Sequence, residues 1–164
     1  MKLLDTFGGF MAEIERQAKA FYGERLVTLA IFGSVGRGTP RPDSDIDLLL
    51  VIDRLPRGRL ARIREFDRVE QALTPYLQQL RRKGIDTCLS PVIKSPEEVL
   101  RGSLLFLDMI EDVRLLYDRE GFFARFLDRF RKRLEKLGAR RVKSGGAWHW
   151  VLKDDYQVGE VFEI

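Results

Sequence analysis

The stretch that decides the fold is Leu29-Ala30-Ile31-Phe32-Gly33-Ser34-Val35-Gly36-Arg37-Gly38-Thr39-Pro40-Arg41-Pro42-Asp43-Ser44-Asp45-Ile46-Asp47-Leu48-Leu49-Leu50-Val51-Ile52. Two apolar runs flank a turn rich in glycine and proline. Val27–Phe32 is short, apolar and partly β-branched, which predicts a buried strand. It stops at Gly33-Ser34, with Gly36 and Gly38 directly behind. Leu48–Ile52 is uninterrupted apolar sequence, the pattern of an inner strand covered on both faces. Asp45 and Asp47 stand at its head, and residues two apart on a strand point the same way. The pattern therefore aims two carboxylates into one small volume, beside a turn that exposes backbone N–H groups.

Two adjacent anions are costly unless something positive sits between them. Carboxylate oxygens suit magnesium, which takes few protein ligands and shares its shell with substrate phosphates. The Gly33-Ser34 turn offers a phosphate free N–H groups and a hydroxyl, and glycine lets a ligand approach the main chain closely. Acids that hold metal beside a phosphate cradle make a nucleoside-triphosphate site. Competing readings fail on spacing. A calcium loop starting at Asp43 needs Gly at its sixth position and Glu at its twelfth, where this chain has Leu48 and Arg54. The glycines make no Walker loop, because no Gly-Lys-Ser/Thr follows, and no dinucleotide fingerprint.

With these residues in hand, the chain resembles the nucleotidyltransferase superfamily that includes polymerase β and kanamycin nucleotidyltransferase. The resemblance rests on Gly33-Ser34, ten intervening residues, then Asp45-Ile46-Asp47. The compact length is similar to that of the minimal bacterial and archaeal members. The fold expected is α/β (α+β), a small mixed β-sheet flanked by helices. One nucleotidyltransferase domain is expected over 1–164, with 140–164 a C-terminal tail or closing strand. The resemblance implies that Asp45 and Asp47 hold two magnesium ions, that Gly33 and Ser34 hold the phosphates of ATP, and that Arg37 adds charge at the leaving pyrophosphate. It also implies a third catalytic and metal-binding acid on a neighbouring strand. Asp86, at the start of the apolar stretch Ile85–Ile93, takes that slot; Ser90 further along is a poor substitute ligand. Cys88 reads as a small core residue. Small transferases of this kind pair with HEPN-domain proteins in toxin–antitoxin systems. The acceptor expected is therefore a hydroxyl on such a partner protein. An aminoglycoside-like small molecule, or a non-catalytic nucleotide- or partner-binding module, is the alternative.

The whole chain agrees with a single soluble unit. At 164 residues, 45% hydrophobic and 33% charged, it can bury a core and is not a disordered composition. No apolar run approaches the ~20 residues of a membrane span. The N-terminus lacks a secretory pattern, and the lone Cys88 precludes an internal disulfide, so a cytoplasmic setting is expected. The formal charge of +4 fits an acidic partner, a nucleotide or a nucleic acid, and equally a GC-rich or heat-adapted source. Base preference and a homodimer are left open.

Helical periodicity predicts a helix over Lys2–Tyr22 and another from Leu60 to Leu80, which Pro75 should kink or restart. Ser95-Pro96-Glu97-Glu98 is a helix start. Val113–Tyr117 predicts an edge strand, and Glu120–Leu137 a helix capped by Gly138. Trp148 and Trp150 fall on one face of a last strand and His149 on the other. That strand either closes the core or offers a stacking or partner surface.

Overall fold

The computed structural model describes residues 3–153 and 155. Helix α1 spans Leu3–Tyr22 and buries Phe7, Phe10, Met11, Ile14 and Ala18 along one face. Phe21, in the expected apolar stripe, instead points outward. One tight turn leads into strand β1, Leu26–Phe32, and then a single helical turn, α2, Gly33–Gly36. Strand β2 covers Ile46–Ile52, so it begins at the acids rather than after them. Helix α3, Arg59–Arg82, runs unbroken through Pro75. The missing hydrogen bond there does not stop it, because Leu73, Tyr76, Leu77 and Leu80 pack into the core on both sides of the proline.

Strand β3 is Leu89–Lys94, shorter than the expected Ile85–Ile93. Residues 86–88 lie alongside the approach to β2 without joining the sheet: Asp86 N donates to Pro42 O, and Ile46 N donates to Cys88 O. Ser95 caps the short helix α4, Pro96–Leu100, in a reciprocal capping box with Glu98. Helix α5 (Phe106–Asp112), strand β4 (Arg114–Asp118) and helix α6 (Phe122–Leu137) follow. Gly138 ends α6 in a left-handed conformation, φ 71°.

The sheet order is β3-β2-β1-β4, so β3 and β4 are its edges. Strand β1 runs antiparallel to both neighbours, and β2 runs parallel to β3 through the α3 crossover, which makes the sheet mixed. The apolar run of β2 is split between two cores. Ile46, Leu48, Leu50 and Ile52 face α1 and α3; Leu49 and Val51 face α4, α5 and α6. All six are fully buried, each stabilising the fold by roughly 1.5–3 kcal/mol. Asp47 shares the odd-numbered face, so it looks toward the α4–α6 side.

The described part of the tail, 140–153 and 155, does not join this sheet. Strands β5 (Arg140–Ser144) and β6 (Ala147–Val151) form a separate antiparallel hairpin about Gly145-Gly146. Trp150 packs against the α4–α6 core, while Trp148 is 56% exposed. Arg141 and Lys143 hold cations 5.0 and 5.8 Å from the Trp148 ring centre, so the hairpin supplies its own stacking partners. Of the tail expected at 140–164, Asp154 and 156–164 lie outside the described residues. Among the described residues no helix is long and apolar enough to cross a membrane.

Candidate active site

The site forms where β1 ends and β2 begins. Phe32, the last residue of β1, is paired with Asp47. The chain must then turn away at once, and Gly33 permits it at φ 66°. A Cβ built on Gly33 would stand 2.1 Å from Asp47 Oδ2. A side chain there would push the carboxylate aside, so glycine is the residue that lets it lie against the bend. Gly36 is equally confined, since its Cβ would fall 2.5 Å from the Asp112 carbonyl oxygen and 2.8 Å from that of Ile31. Helix α2 is thereby wedged between β1 and the end of α5. Ser34 is half-buried within it, and its carbonyl accepts from Thr39 N at 2.9 Å, folding the glycine-rich loop back on itself.

Asp45 is exposed and Asp47 half-buried. Burial raises the Asp47 carboxyl above the usual carboxylate range; the Asp45 charge adds to the rise, while a Ser90 hydrogen bond and the Arg37 charge oppose it. The two acids therefore share one electrostatic site. Ser90 sits opposite Asp47 in the β2–β3 register, and two residues earlier the Cys88 thiol donates to Asp45 Oδ1 at 3.0 Å. Cys88 is exposed, not a core residue. The carboxylate beside it, with burial, pushes its thiol up to about 11, so it stays protonated and donates.

Arg37 extends from the end of α2. Its guanidinium lies 3.5 Å from Asp112 Oδ2, an oxygen that Arg141 of the hairpin also contacts at 3.1 Å. Asp112 thus tethers Arg37 within electrostatic reach of Asp47. Nothing in the sequence singled it out: it is an ordinary acid at the end of an apolar helix.

Asp86 is not brought to the pair. It lies three residues before β3 and is 73% exposed, with Oδ1 2.9 Å from both Nε and Nη2 of Arg81. Among the described residues no three His, Cys, Asp or Glu side chains stand close enough to hold a metal ion. The arrangement consists of two carboxylates at the head of one strand, one hydrogen-bond donor facing each from the head of the next, and a glycine bend against the inner acid. Hard oxygen donors of this kind fit a divalent cation such as magnesium, which completes its shell with water and phosphate oxygens.

A mixed sheet that sets an acid pair against a Gly-Ser bend defines a class, that of proteins handling nucleoside phosphates. The family model described as "Nucleotidyltransferase domain" matches residues 11–143, and the chain belongs to this family. A protein of Methanocaldococcus jannaschii described as "Putative protein adenylyltransferase MJ1305" is 28% identical over 127 residues, covering 76% of this chain and 81% of that one. Among solved structures, "Crystal structure of the toxin-antitoxin with AMP-PNP" aligns with TM-score 0.47 at 17% identity, over 78% of this chain and 92% of that one. "Crystal structure the toxin-antitoxin MntA-HepT" aligns with TM-score 0.44 at 13% identity, over 80% and 92%.

Proposed function

We propose that this nucleotidyltransferase moves AMP from ATP to a hydroxyl on a partner protein, and that the partner is the HEPN-domain member of a two-component toxin–antitoxin pair. The observation that supports the reading is the closeness of the Asp47 carboxylate to Gly33, which brings that acid and the bend together. In this reading the bend at Gly33-Ser34 binds the β and γ phosphates, and Arg37, tethered by Asp112, faces the charge that gathers on the pyrophosphate. Asp45 and Asp47 would hold magnesium, which would supply charge neutralisation and a more acidic acceptor hydroxyl. Cys88 and Ser90 orient the two carboxylates. The acceptor oxygen forms its bond to the α-phosphorus as the bond from that phosphorus to the β-bridging oxygen breaks. Pyrophosphate leaves with the electron pair, and the hydroxyl proton passes to a carboxylate or to water. Positioning and electrostatics do most of the work in such transfers. The transferase name of the archaeal relative supports AMP and a protein acceptor.

This reading gives Asp86 no role, because its exposed carboxylate pairs with Arg81 and stands in no group of three possible metal ligands among the described residues. The test is incubation with α-labelled ATP and magnesium, alone and with the protein encoded beside it. Label on that neighbour is the expected result. Label only on an added aminoglycoside would transfer the reading to small-molecule chemistry, and no label on anything would leave a binding module.

A further inference from the structure

A groove lies along an outer strand of the sheet, its lining starting one residue past Ser90. Ser90 faces Asp47, and the next four residues of β3, Pro91 to Lys94, form one wall of a cavity of about 560 Å³. The first turns of α3 form the opposite wall, with Arg59, Arg62 and Ile63. At about 3.3 Å per residue, Lys94 lies about 13 Å along the strand from Ser90. Strand β3 is an outer strand, so its far side pairs with no other strand among the described residues. Pro91 suits that edge, where a missing N–H costs the sheet nothing.

The groove is electropositive. Three cations, Arg59, Arg62 and Lys94, meet one carboxylate, Glu98. Arg62 is committed: Nη1 donates to Glu98 Oε2 at 2.8 Å, and the same guanidinium covers the Ile93 carbonyl. Arg59 and Lys94 have no carboxylate within ion-pair distance among the described residues. The lining holds aliphatic side chains but no aromatic ring. It therefore lacks the stacking platforms that single-stranded nucleic acid uses; with the Pro91 N–H missing and the Ile93 carbonyl covered by Arg62, it would hold an extended chain by charge and aliphatic contact rather than by strand pairing.

We propose that this groove is the acceptor track: it docks an extended, acidic protein segment and delivers a hydroxyl side chain of that segment to Asp45 and Asp47. The proposal rests on the transferase reading above. The probe is a fluorescein-labelled random copolymer of glutamate and tyrosine, titrated against the full chain by fluorescence anisotropy. The R59E/K94E double variant should weaken binding by about tenfold or more, whereas R129E/R133E, with the same change in net charge on the far side of the α4–α6 layer, should change it less than about twofold. Melting curves of both variants check the fold. Three results would overturn the proposal: no binding by the wild-type chain, equal weakening in the two double variants, or tighter binding of oligouridylate with the same R59E/K94E dependence. Adding α-labelled ATP separates the two readings. Site-specific binding with no label on the copolymer or on the neighbouring protein would leave a docking groove for acidic chains and remove the transferase reading together with the acceptor role.

Discussion

The heads of β2 and β3 lie side by side and carry opposite chemistry. On β2 the two side chains at the site are anions, Asp45 and Asp47. On the β3 side the two facing them are neutral donors, Cys88 and Ser90. Two residues further out, where this side does offer an acid, Asp86 has turned to Arg81. In the proposed reading, the charge that would hold a cation is thus concentrated at the head of one strand, and the neighbouring one would orient it. A site built this way depends on each of its two acids more than a three-acid site would.

The largest effect should follow from removing an anion. Asp47→Asn keeps the shape and should lower AMP transfer by about 10³-fold, measured with α-labelled ATP. Its stability should move the other way. In the metal-free protein burial raises the Asp47 carboxyl, so the folded state binds that proton more tightly than the unfolded chain does. Ionising Asp47 therefore opposes folding increasingly as pH rises through the carboxyl's folded value. The Asn variant escapes this cost. Its melting temperature should equal or exceed that of the wild type at neutral pH, and the gap should close below about pH 4, where the unfolded carboxyl is also protonated. A variant markedly less stable at neutral pH would show that Asp47 is held by favourable contacts rather than by a strained burial.

Next in size is Gly33→Ala, which attacks the bend from the opposite side. The added methyl meets Asp47 Oδ2 and must also adopt φ 66°. We expect a stability loss of about 1–2 kcal/mol and transfer reduced about 10²-fold, because the carboxylate is displaced from the bend. Gly38→Ala provides the comparison. Gly38 also has positive φ, 75°, but nothing lies within 4 Å of its Cβ. It should lose about 1 kcal/mol in denaturant unfolding with transfer nearly unchanged. Equal loss of transfer in both would show that backbone strain, not the Asp47 contact, governs the site.

A smaller effect is expected from the orienting donors. Ser90→Ala should weaken Mn²⁺ binding, followed by paramagnetic resonance in the absence of nucleotide, by about tenfold. Cys88→Ala should do less, about threefold, because a thiol is a weak donor. The reverse order would make Asp45, rather than the half-buried Asp47, the acid whose orientation matters more.

Much of the fold was legible because its signals were local and redundant. The apolar face of α1, the Ser95-Pro96 start of α4, the edge strand near Val113 and the Gly138 stop of α6 each follow from short-range chemistry. What the sequence hid depended on neighbours. Pro75 reads as a breaker until the side chains packed on both sides of it are seen. The basic segment Arg140–Ser144 carries no strand signal; it becomes one only by pairing across Gly145-Gly146 with the tryptophan segment. At the candidate site, the closeness of Gly33 to Asp47 was readable because one turn and one strand position them. The partners from β3 were not, because they depend on register. A strand taken to start at Ile85 puts Asp86 within it, whereas the observed start at Leu89 sets Cys88 and Ser90 beside the acids. Asp112 depends on a packing contact between α5 and α2 that no spacing rule encodes.

The smallest expected effect tests that register most directly. Asp86 and Arg81 are each 73% exposed, and pairs of that kind contribute roughly 0–1 kcal/mol. Asp86→Asn should therefore leave unfolding free energy within about 0.5 kcal/mol of the wild type and transfer within about twofold. The backbone hydrogen bond from Asp86 N to Pro42 O survives the substitution, so the loop leading to the acids should keep its path. A loss of transfer comparable to that of Asp47→Asn, with stability intact, would mean that substrate binding draws Asp86 off Arg81 and into the cation's shell. In that event Arg81→Ala should raise Mn²⁺ affinity by freeing the third acid in advance. Unchanged affinity in Arg81→Ala, together with full transfer in Asp86→Asn, would leave the two carboxylates of β2 as the only protein anions the reaction needs.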